Sequence, residues 1–156
     1  MNIIILLIGK TKEKFIEEGF KKYEEKLKHY IPIKVNFLTE IKASNSLTIK
    51  SLKEKEGELI IKNIPKESIV YLLDELGENY NSKEFSNFIQ KNLNSSIKNV
   101  VFIIGGAFGF SDEIYKTYKN KIALSKMTFT HEMCRLFLIE QIYRAFTIIK
   151  NEQYHH

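Results

Sequence analysis

The chain has 156 residues, 44% of them apolar and 28% charged, with a formal net charge of +5. These values place it among single globular domains, here residues 1–156, and exclude disordered, fibrous and low-complexity classes. One cysteine, Cys134, excludes an internal disulfide and a multi-cysteine zinc site.

Residues 2–8 form an apolar run ended by Gly9 and read as a buried strand. That run is too short for a signal segment, and no uncharged run approaches the roughly 18 residues of a membrane helix. The expected setting is therefore soluble and cytoplasmic, with no membrane. Residues 12–30 carry Phe15, Ile16, Phe20, Tyr23, Leu27 and Tyr30 at helical spacing, and Pro32 stops that helix. Ile33, Val35 and Phe37 alternate with polar residues as a half-buried strand does. Residues 40–46 read as a loop, and a Lys/Glu-rich helix follows to about Ile64, before Pro65.

Residues 69–73 are the next buried strand. Ser82 is the expected N-cap of a helix carrying Phe85, Phe88, Ile89 and Leu93. Residues 100–104 form a strand that runs into Gly105-Gly106-Ala107-Phe108-Gly109, and Ser111 or Asp112 opens a short helix. Residues 122–124 are a short strand. Residues 131–149 are a helix that is apolar on most of its circumference, with Thr130 as N-cap. Strands alternating with helices predict an α/β fold, a mainly parallel sheet flanked by helices. The apolar surplus of the last helix is explained either by a homodimer interface or by deep burial within one chain.

The charge is uneven: residues 115–156 hold seven basic and three acidic residues, which hints at a polyanionic partner or is merely solvated surface. Of the 24 basic residues only Arg135 and Arg144 are arginine. Arginine retained in so lysine-rich a chain is expected where a planar fork must grip phosphate or carboxylate. The alternative is a helix-surface ion pair, and Glu140 and Arg144 are spaced for one.

In open α/β sheets ligands bind beyond the C-terminal strand ends. Three features fall there: Leu73-Asp74-Glu75, the glycine loop 105–109, and residues 124–129. The glycine loop is neither Gly-x-Gly-x-x-Gly nor a P-loop, so dinucleotide and nucleoside triphosphate sites are disfavoured. Residues 124–131, Leu-Ser-Lys-Met-Thr-Phe-Thr-His, suit backbone recognition of an adenine, or are an ordinary loop capping the last helix. His131 and Arg135 share a helix face. Cys134, inside an apolar helix, reads as a small core residue. Asp74, Glu75 and Glu78 read as a solvated strand-end turn, and no metal site is expected.

Five ordered segments carry a resemblance over the whole chain. They are residues 8–15 (Ile-Gly-Lys-Thr-Lys-Glu-Lys-Phe), 53–57 (Lys-Glu-Lys-Glu-Gly), 101–106 (Val-Phe-Ile-Ile-Gly-Gly), 124–129 (Leu-Ser-Lys-Met-Thr-Phe) and 138–145 (Leu-Ile-Glu-Gln-Ile-Tyr-Arg-Ala), with the ending Tyr154-His155. Together they resemble the RlmH family, the SPOUT-class large-subunit (23S) ribosomal RNA pseudouridine N3-methyltransferases. The resemblance implies a SPOUT fold with a C-terminal trefoil knot, S-adenosylmethionine (SAM; S-adenosyl-L-methionine) as cofactor, and a homodimer. It also implies large-subunit rRNA within the assembled ribosome as substrate. It places SAM contacts at Leu73, Gly105, Leu124, Ser125, Lys126, Met127, Thr128 and Phe129, and places His131, Arg144, Tyr154 and His155 near the target base. Either His131 or His155 would accept the N3 proton. Arg135 would orient RNA phosphate or make a dimer contact. Two positions depart from the family pattern: Ala107-Phe108 in the glycine loop, and Thr130 where the family often has Pro. The competing expectations are a SPOUT methyltransferase acting on another RNA base, a non-catalytic ribosome-binding dimer, and a phosphate-binding α/β domain.

Overall fold

In a computed structural model, described for residues 1–42 and 47–154, five strands and five helices alternate along the chain. They are β1 (Asn2–Ile8), α1 (Lys14–Leu27), β2 (Ile33–Leu38), α2 (Ile49–Asn63), β3 (Ser68–Asn79), α3 (Ser82–Leu93), β4 (Asn99–Ile104), α4 (Asp112–Thr117), β5 (Lys121–Ala123) and α5 (His131–Ile149). The strands form one parallel sheet in the order β2-β1-β4-β3-β5. Part of the expected loop 40–46 lies outside the described residues.

The period-2 geometry of a strand sorts the unbroken apolar run of β1 onto two cores. Ile3, Ile5 and Leu7 join Val100, Phe102 and Ile104 under α1, α3 and α5. Ile4, Leu6 and Ile8 join Val101 and Ile103 under α2 and α4. Helix α5 packs against both α1 and α3. Leu138, Ile139, Ile142, Tyr143 and Phe146 are buried within the single chain. Much of its apolar surplus is therefore absorbed by the monomer, leaving Met133, Leu136, Phe137 and Ile149 half-buried.

Four boundaries differ from expectation, each for a local reason. Helix α1 starts at Lys14 rather than Lys12, because the N–H groups of Lys12 and Glu13 bond to Glu132 instead of opening the helix. It ends at Leu27, whose carbonyl takes the N–H groups of Tyr30 and Ile31 before Pro32 is reached. The N-cap of α3 is Asn81, not Ser82: Asn81 Oδ1 accepts from Glu84 N at 2.9 Å and Glu84 Oε2 accepts from Asn81 N at 2.8 Å, a reciprocal capping box. Strand β3 does not stop at Leu73. It pairs with β5 on both sides of an irregularity between Leu73 and Glu78, so the expected acidic turn is a bulge inside a longer strand. At Gly77 an added Cβ would lie 2.5 Å from the Ile122 backbone, so only glycine lets the two strands approach there.

Candidate active site

Because all strands run the same way, the irregular stretch of β3 after Leu73 and the loops after β4 and β5 gather at one edge. There they line a cavity of about 600 Å³, within the usual range for small-molecule pockets. Leu73 and Asp74 line it from β3, and Gly105 and Phe108 from the loop after β4. Leu124, Ser125, Met127, Thr128 and Phe129 line it from the loop after β5, and His131 and Cys134 from the first turns of α5. The structure thus brings together seven of the eight expected cofactor residues. Lys126 is exposed and does not line the cavity.

The walls are built by short-range contacts. Ser125 Oγ accepts from Met127 N at 2.9 Å, which curls the loop after β5 back on itself. Phe129 packs on Phe137 with ring centroids 4.9 Å apart, seating the loop on α5. Thr130 Oγ1 accepts from Met133 N at 3.3 Å and caps α5 as expected. A Cβ on Gly105 would lie 3.1 Å from the Phe110 ring, so the glycine there lets an aromatic floor close under the loop. Asp74 Oδ2 accepts from Tyr115 OH at 2.5 Å; burial first, then Asp74, pushes that phenol up to about 12.

His131 lies half-buried at the start of α5. Burial, reinforced by the nearby Arg135 charge, holds its pKa below the usual 6.5, so the imidazole is neutral at pH 7. Burial pushes the Cys134 thiol up, which keeps it a thiol rather than a nucleophilic thiolate.

The rest of the expected catalytic set is elsewhere. Arg144 is 13 residues beyond His131 on the same helix, about 20 Å along its axis. Its Nε and Nη2 donate to Glu140 Oε1 at 3.1 and 2.7 Å, and its guanidinium lies 4.9 Å from the Tyr154 ring centre. Tyr154 OH donates to the same Glu140 oxygen at 3.1 Å. Burial first, then Tyr23 and Glu140, pushes the Tyr154 phenol far up, so it serves as a donor and not as a base. His155 lies outside the described residues.

Arg135 corrects an expectation. It is fully buried within the single chain, which leaves no exposed surface for RNA phosphate or a second subunit. Nη2 donates to the Ile8 carbonyl at 2.6 Å and Nη1 to Thr11 Oγ1 at 3.0 Å, while Nε has no partner among the described residues. One turn earlier, Glu132 accepts the N–H groups of Lys12 and Glu13, each at 3.0 Å. Burial works to raise the Glu132 carboxyl, but those two bonds and Arg135 outweigh it and hold it low. The resembling segment 8–15 is thus the turn that α5 clamps with one carboxylate and one guanidinium.

Two further groups were not anticipated. Glu140, expected only as an ion-pair partner, is the shared acceptor of Arg144 and Tyr154. Glu56, inside the resembling segment 53–57, is buried behind the glycine loop, where a Cβ on Gly106 would meet its carboxylate at 2.8 Å. Burial first, and the Glu40 charge second, push its pKa up to about 7. Among the described residues no group of three metal-binding side chains occurs, and no helix is long and apolar enough to cross a membrane.

Comparison with known proteins matches this architecture. The family model described as "Predicted SPOUT methyltransferase" matches residues 1–155. The chain is 47% identical to ribosomal RNA large subunit methyltransferase H of Christiangramia forsetii, covering 100% of this chain and 99% of that protein. It is 48% identical to the same-named protein of Flavobacterium psychrophilum with equal coverage, and 41% identical to that of Geotalea uraniireducens with full coverage of both. Among solved structures, a probable methylase family protein from Haemophilus influenzae superposes with a TM-score of 0.52 at 13% identity, over 96% of this chain and 66% of that one. A Legionella pneumophila protein solved in complex with the bound cofactor SAM gives 0.51 at 11% identity, over 93% and 66%. At such identities these two structures attest the fold, and the chain spans just under two thirds of each. The family match over nearly every residue and the full-length relatives agree: the chain belongs to the SPOUT methyltransferase family, among the ribosomal RNA large subunit methyltransferases H.

Proposed function

We propose that this single-domain protein transfers a methyl group from SAM to N3 of a pseudouridine in 23S rRNA, acting in the cytoplasm on the assembled ribosome. The observation that carries the reading is the cavity at the C-terminal strand ends, lined by the irregular stretch of β3 and by the loops after β4 and β5, with His131 at its border. Its apolar walls at Leu73, Leu124 and Phe129 and the backbone groups of loops 105–109 and 124–129 suit an adenosyl group. Asp74 and Glu75 at its edge have the sign a cationic sulfonium needs. A trefoil knot is consistent with the way the chain after β5 passes along this cavity and then returns beneath α1 and α3.

SAM supplies a methyl already activated as a sulfonium, so no covalent enzyme intermediate is needed. The residues of the chain therefore position the base and manage one proton. His131, uncharged at pH 7, accepts the N3 proton. Arg144 has Nη1 without a partner among the described residues, and that group grips a base carbonyl or phosphate and stabilises the developing N3 anion. Tyr154 contributes a hydrogen bond donor. His131 and Arg144 cannot meet within one chain at about 20 Å. A homodimer resolves this, with a second copy bringing its own Arg144, Tyr154 and His155 to the cavity.

The test is transfer of labelled methyl to intact ribosomes from cells lacking the modification, with naked rRNA in parallel, followed by nucleoside identification. Label on N3 of pseudouridine with ribosomes only is the expected result. Label on another base removes the substrate assignment, and no label with SAM binding intact removes the transfer.

A further inference from the structure

The last residues of the chain do not trail from α5. Lys150 ends the helix and Asn151 takes a left-handed conformation with φ 55°. Asn151 N donates to Ile148 O at 3.0 Å and Glu152 N to Thr147 O at 2.9 Å, the paired bonds of a Schellman turn. That turn sends the chain back along α5, so that Tyr154 meets Tyr143 edge-on, with ring centroids 4.9 Å apart.

Helix α1 and the turn that ends it receive the tail. Tyr23 and Lys26 are three apart on one face of α1, and Tyr30 lies in the turn just after Leu27. Tyr30 OH donates to Glu152 Oε2 at 2.5 Å, and the Tyr23 and Tyr154 hydroxyls are 3.2 Å apart. Between them the Lys26 ammonium lies 5.8, 5.0 and 6.0 Å from the ring centres of Tyr23, Tyr143 and Tyr154. The ammonium thus touches rings from α1, α5 and the tail at once, within cation–π reach of each. Every bond in this set ties the tail to α1, to the turn that ends it, or to α5. Packing alone would not require a phenol paired with a carboxylate, or two facing hydroxyls, at the margin of a helix pair.

We infer that Tyr23 and Lys26 of α1, with Tyr30 of the turn that follows it, form a latch that holds the C-terminal tail in the register needed to present Tyr154 beside Arg144. These three are positioning residues, since they do not line the cavity. The latch accounts for the orientation of Tyr154: its OH contacts both Glu140 and Tyr23 where Glu152 is held by Tyr30. The inference rests on the proposed role of Tyr154 at the base, and its test separates the two.

The variant is the full-length double substitution Tyr23→Phe, Tyr30→Phe. Phenylalanine keeps the ring contacts with Tyr143 and Phe146, so a role in packing alone would leave turnover unmoved. Hydrogen exchange of residues 150–154 is expected to speed up about tenfold or more, with kcat falling about tenfold and SAM affinity and Tm held. Glu152→Ala added to Tyr30→Phe should cost nothing further, since each removes the same side-chain bond. Unchanged exchange protection in the double variant overturns the latch. A freed tail with wild-type kcat also overturns it, and a chain ending at Asn151 then identifies the fault. If that shortened chain is inactive, the tail acts without needing a latch. If it is fully active, the role of Tyr154 itself has failed.

Discussion

The two arginines of the chain lie nine residues apart on α5 and face opposite fates. Arg135 is fully buried near the start of the helix, with two of its three nitrogens spent on a carbonyl and a hydroxyl of the β1–α1 turn. Arg144 is a quarter exposed by its side chain and held from one edge by the Glu140 carboxylate, which supports its charge. Both use the forked geometry of guanidinium, and in both a point-like ammonium would serve poorly. The difference is what surrounds the fork. A buried cation with few partners is tolerable only as a fixed structural tie, whereas a partly solvated cation on a carboxylate can be re-addressed to an incoming anion.

Substitution at the two sites should therefore separate stability from turnover. Arg135→Ala leaves a cavity and takes the side-chain donor from the Ile8 carbonyl, and about 3–5 kcal/mol of stability should be lost in urea unfolding. Arg144→Ala should cost only about 1–2 kcal/mol by the same measurement, because Glu140 keeps Tyr154 as a donor. Its turnover should fall by about 10²–10³, with SAM affinity little changed. Equal losses of turnover and SAM affinity would end the division of labour between the two ends of α5.

Charge burial has a second instance on the opposite face of the sheet. Glu56 has a folded-state pKa of about 7 against 4.5 for the free side chain. The folded state thus favours the protonated acid. Stability is intact below pH 4.5 and is lost as pH rises from 4.5 through about 7, by at most about 3 kcal/mol. Glu56→Gln should remove that slope and be the more stable protein at pH 8. His131 has the reverse sense. Its pKa is depressed below 6.5, so stability is lost as pH falls through that region. If His131 takes the N3 proton, kcat/KM should fall on the acid side with a midpoint below 6.5, and His131→Asn should abolish that limb. A midpoint above 6.5 would point away from His131.

The contrast between the arginines also marks how far the residues could be read before the fold was known. Strand and helix order, the location of the cavity and the extent of α5 follow from periodicity and from Gly and Pro positions, which are local signals. The identity of the Arg135 partners was not legible, because Ile8 and Thr11 are more than 120 residues away in sequence and one of the two acceptors is a backbone carbonyl. The same holds for Glu132 as the acceptor of N–H groups from the β1–α1 turn, and for Glu56 behind Gly106. Long-range polar contacts to backbone leave no spacing pattern. The resemblance marked segments 8–15 and 53–57, but it could not say that the first offers backbone groups to Glu132 and Arg135, or that Glu56 of the second lies behind Gly106.

The smallest effect is expected at Thr130, where the family often has proline. Its φ of −61° already suits a pyrrolidine ring, and it precedes the first residue of α5. Thr130→Ala removes the side-chain bond to Met133 N and should cost about 1 kcal/mol. Thr130→Pro removes the same bond but also restricts the unfolded chain, worth about 0.4–1 kcal/mol in the other direction. The two terms nearly cancel, so Tm of the proline variant should stay within a few degrees of wild type while that of the alanine variant falls. SAM affinity should be kept in both, since the Thr130 hydroxyl is engaged with Met133 N at the start of α5. A proline variant that binds SAM markedly tighter would show instead that loop rigidity, and not helix capping, is what this position controls.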